Sequence, residues 1–344
     1  MDTVTLPRPT DAHLHLRDGA ALAAVLPATA RQFARAVVMP NLKPPVVTAA
    51  DAAAYRARIL AALPAGADFT PLMTLYLTDR THPDEIGRAV EDGVVGVKLY
   101  PAGATTNSAA GVTDLSHVEP ALAQMARLGL PLLVHGEVTE PDTDIFDRER
   151  LFLDRVLAPL LDRHPDLRVV LEHVTTAAGV AFVRSAGDRV AGTLTAHHLL
   201  VDRNALFVGG IRPHYYCLPI LKRRTDREAL LDAATSGDPS FLLGTDSAPH
   251  AVGAKESACG CAGCYTAHAA LELYAEAFDQ AGALDRLPGF ASAHAARFYD
   301  FEESADTVTL TREPWSPPAT VAFGEQRLVP WRADAPLQWR MVAG

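Results

Sequence analysis

The stretch TDAHLHLRDG, residues 10–19, decides the fold, because it has the pattern of a buried strand that ends in polar residues. Apolar and polar residues alternate along it. Side chains two apart on a strand point to the same face, so one face would carry His13, His15 and Arg17. An isolated pair of this kind is more often a hydrogen-bonded core pair than a ligand set. The rest of the chain must decide between these interpretations.

Seven further segments have the pattern of strands, and helical patterns separate them. The eight predicted strands cover residues 12–17, 35–41, 69–77, 94–100, 130–137, 168–174, 191–198 and 241–247. They are nearly continuous in apolar residues, as expected of strands covered on both faces. Eight alternating units of this kind predict an α/β fold, a closed (β/α)8 TIM barrel, and a doubly wound open sheet remains the alternative.

Capping patterns place the starts of two predicted helices. The predicted helices cover residues 48–63, 116–129 and 147–164. The first opens at Thr48 with Asp51 three residues on, and the second at Ser116 with Glu119 in the same relation, which is the spacing of a capping box. The basic run at 222–224 is expected to be the solvated start of another helix.

Prolines indicate where one predicted helix is interrupted and where the barrel pattern weakens. Pro159 should kink the third helix or mark its end, because proline lacks the N–H that a helix interior needs. After about residue 300 the alternation weakens into a proline-bearing extended segment. We therefore expect one barrel domain over residues 1–300 and a C-terminal extended tail over 301–344 that packs on the barrel.

Composition limits the function classes. Of the 344 residues, 49% are apolar and 21% charged, which is ordinary for a globular protein. The net charge of −10 disfavours nucleic acid and anionic membranes as partners. No stretch has the length of a membrane span, and the first ten residues lack the pattern of a signal peptide, so we expect a cytoplasmic protein.

Three of the four cysteines, Cys259, Cys261 and Cys264, lie in the motif CGCAGC. A zinc knuckle is one interpretation, but structural zinc normally needs a second ligand pair, and Cys217 is the one cysteine left. A glycine-rich loop with reduced thiols is the favoured interpretation.

Polar residues recur where the predicted strands end. The residues at or just beyond these ends are His13, His15, Arg17, Asn41, Lys98, His135, His173, Asp246 and His250. Barrel enzymes build their sites at this rim. Other histidines lie in helical or loop segments and are expected to be surface or capping residues: His82, His117, His164 and His294. The convergence on one rim favours a functional site over an ordinary core.

Histidines with an aspartate suit zinc or a similar divalent ion, since imidazole and carboxylate both donate to it readily. Lys98 is unusual here, because a charged lysine among valines is costly to bury. Its ammonium could reach solvent or a substrate anion. Alternatively, the neutral amine could capture carbon dioxide and become a carbamate that bridges two metals. The sequence leaves both outcomes open.

Motifs over almost the whole chain to about residue 300 resemble those of one family. They are DAHLHLRDG, VVMPN, GVKLYPAGATTNS, LLVHGE, LEHVTT, GTDSAPH and CGCAGCY, in this order. The chain resembles the dihydroorotases of the bacterial and fungal single-function type, within the amidohydrolase superfamily. An H-x-H alone would indicate only the superfamily. After this region the match is loose, which affects no site residue.

The resemblance implies a site with two zinc ions. One would be bound by His13, His15 and Asp246 and the other by His135 and His173, with carboxylated Lys98 bridging both. Arg17, Asn41 and His250 would hold the substrate carboxylate, and the backbone around Leu218 and Ala262 would contact the ring. Thr105 and Thr106 would lie on a loop that closes over the site. The family also implies a homodimer and a substrate-side position for CGCAGC.

The implied activity is the reversible cyclisation of N-carbamoyl-L-aspartate to L-dihydroorotate in de novo pyrimidine biosynthesis, with Asp246 as the catalytic proton carrier. A hydantoinase or dihydropyrimidinase would share the metals but would have no use for Arg17, Asn41 and His250 together. A metal-free binding paralogue is the alternative outside enzymes, and the complete set of six ligands disfavours it.

Overall fold

The computed structural model describes residues 2–342. In chain order its strands are β1 Thr3–Pro7, β2 Thr10–Leu14, β3 Arg35–Val38, β4 Thr70–Tyr76, β5 Gly96–Leu99, β6 Leu132–His135, β7 Val169–Glu172, β8 Val190–Leu194, β9 Phe241–Leu243, β10 Thr307–Thr311, β11 Val321–Phe323, β12 Gln326–Leu328 and β13 Arg340–Met341.

The α-helices lie mostly between the barrel strands. They are α1 Gly19–Gln32, α2 Ala49–Ala61, α3 Pro83–Glu91, α4 Glu119–Leu128, α5 Arg148–Phe152, α6 Ala158–Arg163, α7 Ala177–Ser185, α8 Ala196–Leu200, α9 Arg224–Thr235, α10 Val252–Lys255, α11 Ala270–Gln280 and α12 His294–Tyr299. None of the helices between residues 2 and 342 has both the length and the apolar composition needed to span a membrane.

Strands β2 to β9 form one parallel sheet in which each strand pairs with the next along the chain. The first and last of them meet beyond their ends, where Leu14 pairs with Ser247 in a parallel bridge. The amide of Asp246 also donates to the His13 carbonyl at 2.9 Å. The sheet is therefore nearly closed into a barrel with helices outside it, which confirms the (β/α)8 prediction and rules out the open sheet.

Apolar side chains fill the barrel beneath the site. This cluster comprises Ala12, Val37, Met39, Leu133, Val170, Ala191, Leu242 and Phe298. Leu133 precedes His135 by two residues on β6, so both side chains point to the barrel interior. Val170 stands in the same relation to Glu172 on β7. A packed floor of this kind supports the polar residues at the carboxyl rim.

The strand prediction for the opening stretch was too long. Strand β2 ends at Leu14, so His15 and Arg17 lie beyond it. Arg17 has a φ of 61°, in the left-handed region that non-glycine residues rarely adopt. The prediction that side chains alternate along a strand as far as Arg17 was therefore wrong. The turn nevertheless directs the Arg17 side chain toward the site.

The helix predictions were correct in place and partly wrong in detail. Thr48 and Asp51 form both hydrogen bonds of a capping box at the start of α2, as predicted. Ser116 caps nothing, because a 3₁₀ turn over Leu115–His117 precedes α4 and Asp114 caps that turn. Glu119 instead accepts hydrogen bonds from Arg163 and His164.

Pro159 does not end its helix. The helix passes from α5 through a π segment, Leu153–Leu157, into α6, where the proline lies in the first turn. Proline lacks the backbone N–H that an α-helix would use at this position. A π segment has a different hydrogen-bond spacing, so the helix can continue through Pro159 without that N–H. The segment therefore continues to Arg163.

Two expected surface residues are buried. Lys222 is 4% exposed, and its ammonium donates to the Ile220 carbonyl at 3.0 Å. The prediction of a solvated helix start was therefore wrong at this residue. His294 is also buried and contacts the Phe241 carbonyl through Nδ1. His82, in contrast, is exposed and caps α3, as expected.

The tail adds a second layer that involves the start of the chain. Strand β10 pairs antiparallel with β1 on one side and with β13 on the other. The prediction did not include β1, a short strand whose one face, Val4 and Leu6, is buried. Strands β11 and β12 form a separate hairpin.

Candidate active site

A cavity of about 20 Å³ lies at the carboxyl ends of the barrel strands. The predicted site residues that line it are His13, His15, Arg17, Asn41, Thr105, Thr106, His135, His173, Leu218, Asp246 and Ala262. Lys98 lies buried among them, and His250 contacts Arg17. The structure thus brings the predicted residues to one place. A larger cavity, bordered by Val112 and Arg155, lies outside this cluster.

Asp246 lies against two of the histidines. Its Oδ1 atom is 3.1 Å from Nε2 of His15 and 3.5 Å from Nε2 of His13. One potential ligand atom from each of the three residues lies within 4.8 Å of the others, and all three residues are buried. The rings of His135 and His173 come next, with centroids 4.8 Å apart. Neutral imidazole and carboxylate at these spacings suit a divalent ion.

Side chains behind the histidines fix their orientation. Glu172 Oε2 lies 2.8 Å from Nδ1 of His13, and Glu137 Oε2 lies 2.9 Å from Nε2 of His135. The amide oxygen of Asn41 lies 2.8 Å from Nδ1 of His15. Each contact occupies one ring nitrogen and leaves the other for a metal, as is usual for histidine ligands.

Sequence reasoning missed Glu137 and Glu172. Glu137 follows His135 by two residues, and Glu172 immediately precedes His173. A search for carboxylates next to candidate ligands would have singled both out. Thr193 was also missed, and its hydroxyl donates to Glu172 at 2.6 Å.

Lys98 has an unusual environment. Its side chain is fully buried, and the Nζ atom has no hydrogen-bond partner among the described residues. Burial lowers the pKa of Lys98 to about 8, although Glu172 and Asp246 oppose the shift. The neutral amine is therefore accessible near physiological pH, as carbamate formation requires.

Burial lowers the pKa of three of the histidines, His15, His135 and His173. It lowers the pKa of His15 to about 4, against the hydrogen bond with Asp246, and lowers that of His173 well below its usual value. Burial alone would raise the pKa of Asp246, but the hydrogen bond with His15 and the field of His13 outweigh it and lower that pKa. Metal binds the neutral imidazole and the ionised carboxylate, and these shifts favour those forms at His15, His173 and Asp246.

Backbone strain is concentrated at the same residues. His173 and Asp246 have φ values of 41° and 42°. The strained turn at His173 is held by its amide, which donates to Thr193 Oγ1 at 2.6 Å. Strain of this kind persists where surrounding contacts fix it, and it is frequent at functional sites.

Arg17 contacts His250 on the far side of the histidine cluster. One guanidinium nitrogen lies 3.1 Å from Nε2 of His250, and Nε donates to the Pro249 carbonyl at 3.0 Å. Burial and the neighbouring Arg17 lower the pKa of His250 to about 2. A neutral His250 can accept from Arg17 at Nε2 and keep an N–H on Nδ1. No carboxylate of the described residues pairs with this guanidinium, since Asp18 pairs with Arg58 instead.

The loop that carries Thr105 and Thr106 lies over the cavity. Its base is a bridge between Pro101 and Val112. Asn41 donates to the Thr106 carbonyl at 3.3 Å, and Asn107 donates to the Asn41 carbonyl at 3.2 Å. With the loop in this position, the cavity has room for about one water molecule.

The cysteine motif supplies backbone to the site. Cys259 is exposed and Cys261 half-buried, and Cys264 is buried. Within residues 2–342, neither Cys259 nor Cys261 belongs to a group of three metal-binding side chains within ligand distance. The cavity lining includes Ala262 and Gly263 of this motif. A substrate-side loop therefore describes CGCAGC better than a zinc knuckle.

Residues 6–310 match the family model described as "Amidohydrolase family". Two curated relatives, both named dihydroorotase, are similar over nearly the full length. The protein of Cupriavidus necator is 65% identical over 338 residues, which is 98% of each chain. That of Ralstonia nicotianae is 64% identical over 343 residues, covering 99% of this chain and 100% of the relative.

Solved structures give the same result. The dihydroorotase of Saccharomyces cerevisiae, in complex with 5-fluoroorotic acid, has a TM-score of 0.92 at 33% identity and 99% coverage of both chains. That of Campylobacter jejuni has a TM-score of 0.90 at 35% identity, over 99% of this chain and 98% of its own. An L-hydantoinase of Arthrobacter aurescens shares the fold with a TM-score of 0.81 at 17% identity, over 98% of this chain and 82% of its own.

The chain belongs to the amidohydrolase family, a class of metal-dependent hydrolases built on this barrel. Within that family it belongs with the dihydroorotases, as the full-length identity to two curated members shows.

Proposed function

We propose that this chain interconverts N-carbamoyl-L-aspartate and L-dihydroorotate plus water, the cyclisation step of de novo pyrimidine biosynthesis. One observation carries the proposal: the cationic Arg17 lies beside the cluster of four histidines and Asp246. The cluster suits hydrolysis of a ring amide, and the guanidinium suits a carboxylate on that ring.

The residues present fit two divalent ions, which we propose to be zinc. His13, His15 and Asp246 would hold one, and His135 and His173 the other. The unpartnered Nζ of Lys98 and the unpartnered Nδ1 of His173 support this arrangement, because buried polar atoms normally have partners. When bound, the ions supply Lewis-acid activation of a carbonyl and of water.

Lys98 would bridge the two ions as a carbamate. Its neutral amine adds to the carbon of carbon dioxide, an N–C bond forms and one proton is released. The product is an anion with two oxygens, which replaces a cation that would repel the metals. The burial of Lys98 and its lowered pKa support this step.

Asp246 would carry the proton. In the hydrolytic direction the oxygen of water adds to the ring carbonyl carbon and the ring C–N bond breaks. Asp246 takes the proton from this water and returns it to the leaving nitrogen. In the biosynthetic direction Asp246 takes the proton from the carbamoyl nitrogen as the ring C–N bond forms and passes it to the departing carboxylate oxygen. This oxygen takes a second proton from solvent and leaves as water. Its proximity to His15 and His13 keeps the carboxylate ionised before each transfer.

Arg17, Asn41 and His250 would receive the ring carboxylate. Arg17 offers paired donors in a fixed plane. The ring of His250 hydrogen-bonds to the Ala262 backbone, so its N–H would have to turn from there to the carboxylate. The backbone at Leu218 and Ala262 would contact the ring. A hydantoinase would act on rings without this carboxylate, so it would leave the three receptor groups unpaired.

Three further expectations remain proposals. We propose a homodimer, a cytoplasmic location, and a division into a barrel over residues 1–300 and a tail over 301–344. The pairing of β1 with β10 makes the tail a structural partner of the first residues.

Two measurements test the metal proposal. Elemental analysis of the purified protein should give two divalent ions per chain, and intact-mass analysis under mild conditions should show one added carbon dioxide. A protein that turns over dihydroorotate with no bound metal would overturn the binuclear assignment. Loss of the added mass after digestion, and its absence in Lys98→Arg, would locate the carbamate.

A further inference from the structure

Lys255, the last residue of α10, makes three hydrogen bonds that neither the metals nor the carboxylate receptor accounts for. The side chain is 3% exposed. Its ammonium donates to the carbonyls of Tyr216 at 2.8 Å, Cys261 at 2.7 Å and Gly263 at 2.9 Å. An ammonium has three N–H donors, so every one of them is used on a backbone carbonyl.

The acceptors lie on the two backbone segments assigned to the substrate ring. Tyr216 precedes Leu218 by two residues, and Cys261 and Gly263 flank Ala262. The two segments also meet directly, where the Gly263 amide donates to the Tyr216 carbonyl at 3.0 Å. Lys255 therefore connects both sides of the ring contact through one buried charge.

The segment around Ala262 has little freedom to choose another position. Gly263 has a φ of 142°, and a Cβ atom there would lie 2.7 Å from Cβ of Ala248 and 2.8 Å from its carbonyl oxygen. The amide of Ala248 also donates to the Cys264 carbonyl at 2.8 Å. The loop is thus pressed onto the strand end that carries Asp246, and Lys255 holds it from the other side.

We infer that Lys255 is a positioning residue for substrate recognition, which sets the distance between the Leu218 and Ala262 backbones so that both contact the ring. The inference rests on the proposed substrate contacts. Lys255 touches neither the metal-binding histidines nor Asp246 through a hydrogen bond among the described residues. Its loss should therefore affect binding of the substrate more than the chemical step.

The geometry requires lysine in particular. Three carbonyls converge on one point, and a tetrahedral ammonium can donate to all of them. A guanidinium is planar and larger, so arginine would displace at least one segment. Glutamine supplies two N–H donors on a shorter chain, and methionine supplies none while it fills a similar volume.

The test compares Lys255→Met, Lys255→Gln and Lys255→Arg with the wild-type holoenzyme. We expect bound metal to stay at the wild-type level in all three. kcat/KM for dihydroorotate should fall by about 100-fold in Lys255→Met, because a misplacement of about 1 Å costs about that much. Most of the change should lie in KM, since the contacts that Lys255 positions are with the substrate ring. Lys255→Gln should lie between wild type and Lys255→Met, and Lys255→Arg should not restore the wild-type KM.

Arg189 offers a matched control at the opposite end of the barrel. One of its nitrogens donates to the carbonyls of Leu161, His164 and Pro165 at 3.2, 3.0 and 2.8 Å. It precedes β8 and so lies at the amino rim, away from the site. Arg189→Met should lower the melting temperature without changing KM.

The outcomes distinguish the role proposed for Lys255 from the proposed carboxylate receptor. An unchanged KM in both Lys255→Met and Lys255→Gln, with Arg17→Met still impaired, would overturn the role of Lys255 and leave the carboxylate receptor standing. If Arg17→Met is unimpaired as well, the proposed substrate contacts fail. If Lys255→Met does not fold, Lys255→Gln with a wild-type KM overturns the inference by itself.

Discussion

Asn41 connects His15 to the loop over the cavity. Its side-chain oxygen lies 2.8 Å from Nδ1 of His15, and its amide nitrogen donates to the Thr106 carbonyl at 3.3 Å. One side chain thus contacts both a ring proposed to bind metal and the loop over the cavity. Asn41→Asp keeps an acceptor for His15 but replaces the donor with a negative charge. We expect retained metal and a KM about 100-fold higher, since like charges brought together cost several kcal/mol.

Steady-state kinetics with metal analysis separates the two roles of Asn41. Asn41→Ala should lose the acceptor as well, so metal should leave it more readily than Asn41→Asp in a chelator titration. Equal metal retention in the two variants would contradict the contact with His15.

Arg17 gives the sharpest test of substrate identity. Arg17→Met should keep two metals and weaken use of dihydroorotate by about 2 to 5 kcal/mol, because it removes one partner of a desolvated charge pair. Wild type should also prefer dihydroorotate strongly over dihydrouracil, which has the same ring amide and no carboxylate. Comparable kcat/KM values for these two substrates would move the protein to the hydantoinase alternative.

Lys98→Ala tests the bridge. The variant should lose activity and much of its metal, because the amine that would form the carbamate is absent. Added short carboxylic acids should restore part of both by supplying two oxygens in the vacated space. Metal content and turnover are measured across a series of acid concentrations. An alanine variant that keeps two metals and full turnover would contradict the carbamate assignment.

The loop prediction concerns Thr105 and Thr106. Valine at both positions keeps the shape of the side chains and removes their hydroxyl donors. We expect catalytic efficiency to fall, because the loop would no longer hydrogen-bond to the substrate or exclude water as well. The measurement is kcat/KM with dihydroorotate, and an unchanged value in the double variant would exclude the hydroxyl role.

The buried side chain of His197 should make the stability of the protein depend on pH. The ring is 1% exposed, and neither nitrogen has a hydrogen-bond partner among the described residues. Burial lowers its pKa to about 4 from the ordinary 6.5. The unfolded chain then binds a proton that the folded chain does not, so stability present above pH 6.5 is lost as the pH falls toward 4.

Replacement of His197 should therefore flatten the acid side of the stability curve. Between about pH 7.5 and about pH 5, wild type should lose about 2 kcal/mol more free energy of unfolding than His197→Phe. Urea unfolding at both pH values measures the difference. The same change at exposed His82 is the control for removing a histidine that is not buried. Parallel curves for wild type and His197→Phe would contradict the burial argument.

The barrel was predictable because its strands carry long apolar runs and its helices carry capping signals such as Thr48. Those signals are local, so they survive in a single sequence. β1 was not predictable in the same way, since its partner β10 lies about 300 residues away and nothing within β1 indicates it. The burial of Lys222 and His294 likewise depends on contacts that only the folded chain brings together.

The sequence indicated which residues line the site, but it did not indicate all the side chains that hold them in place. His13, His15, Lys98, His135, His173 and Asp246 each follow from a polar residue at the end of a strand. The partners behind them, Glu137 and Glu172, carry no periodic signal. The role proposed for Lys255 could not be predicted from the sequence, because it depends on three backbone carbonyls that leave no trace in side-chain identity.

The pairing of β1 with β10 has a consequence for synthesis on the ribosome. Thr5 and Thr309, which lie side by side in this sheet, are separated by 304 positions in the chain. Strand β1 must therefore wait with an unpaired edge until β10 has been made. Unpaired strand edges attract other chains, so premature termination before residue 307 should yield a nascent product that associates with its neighbours.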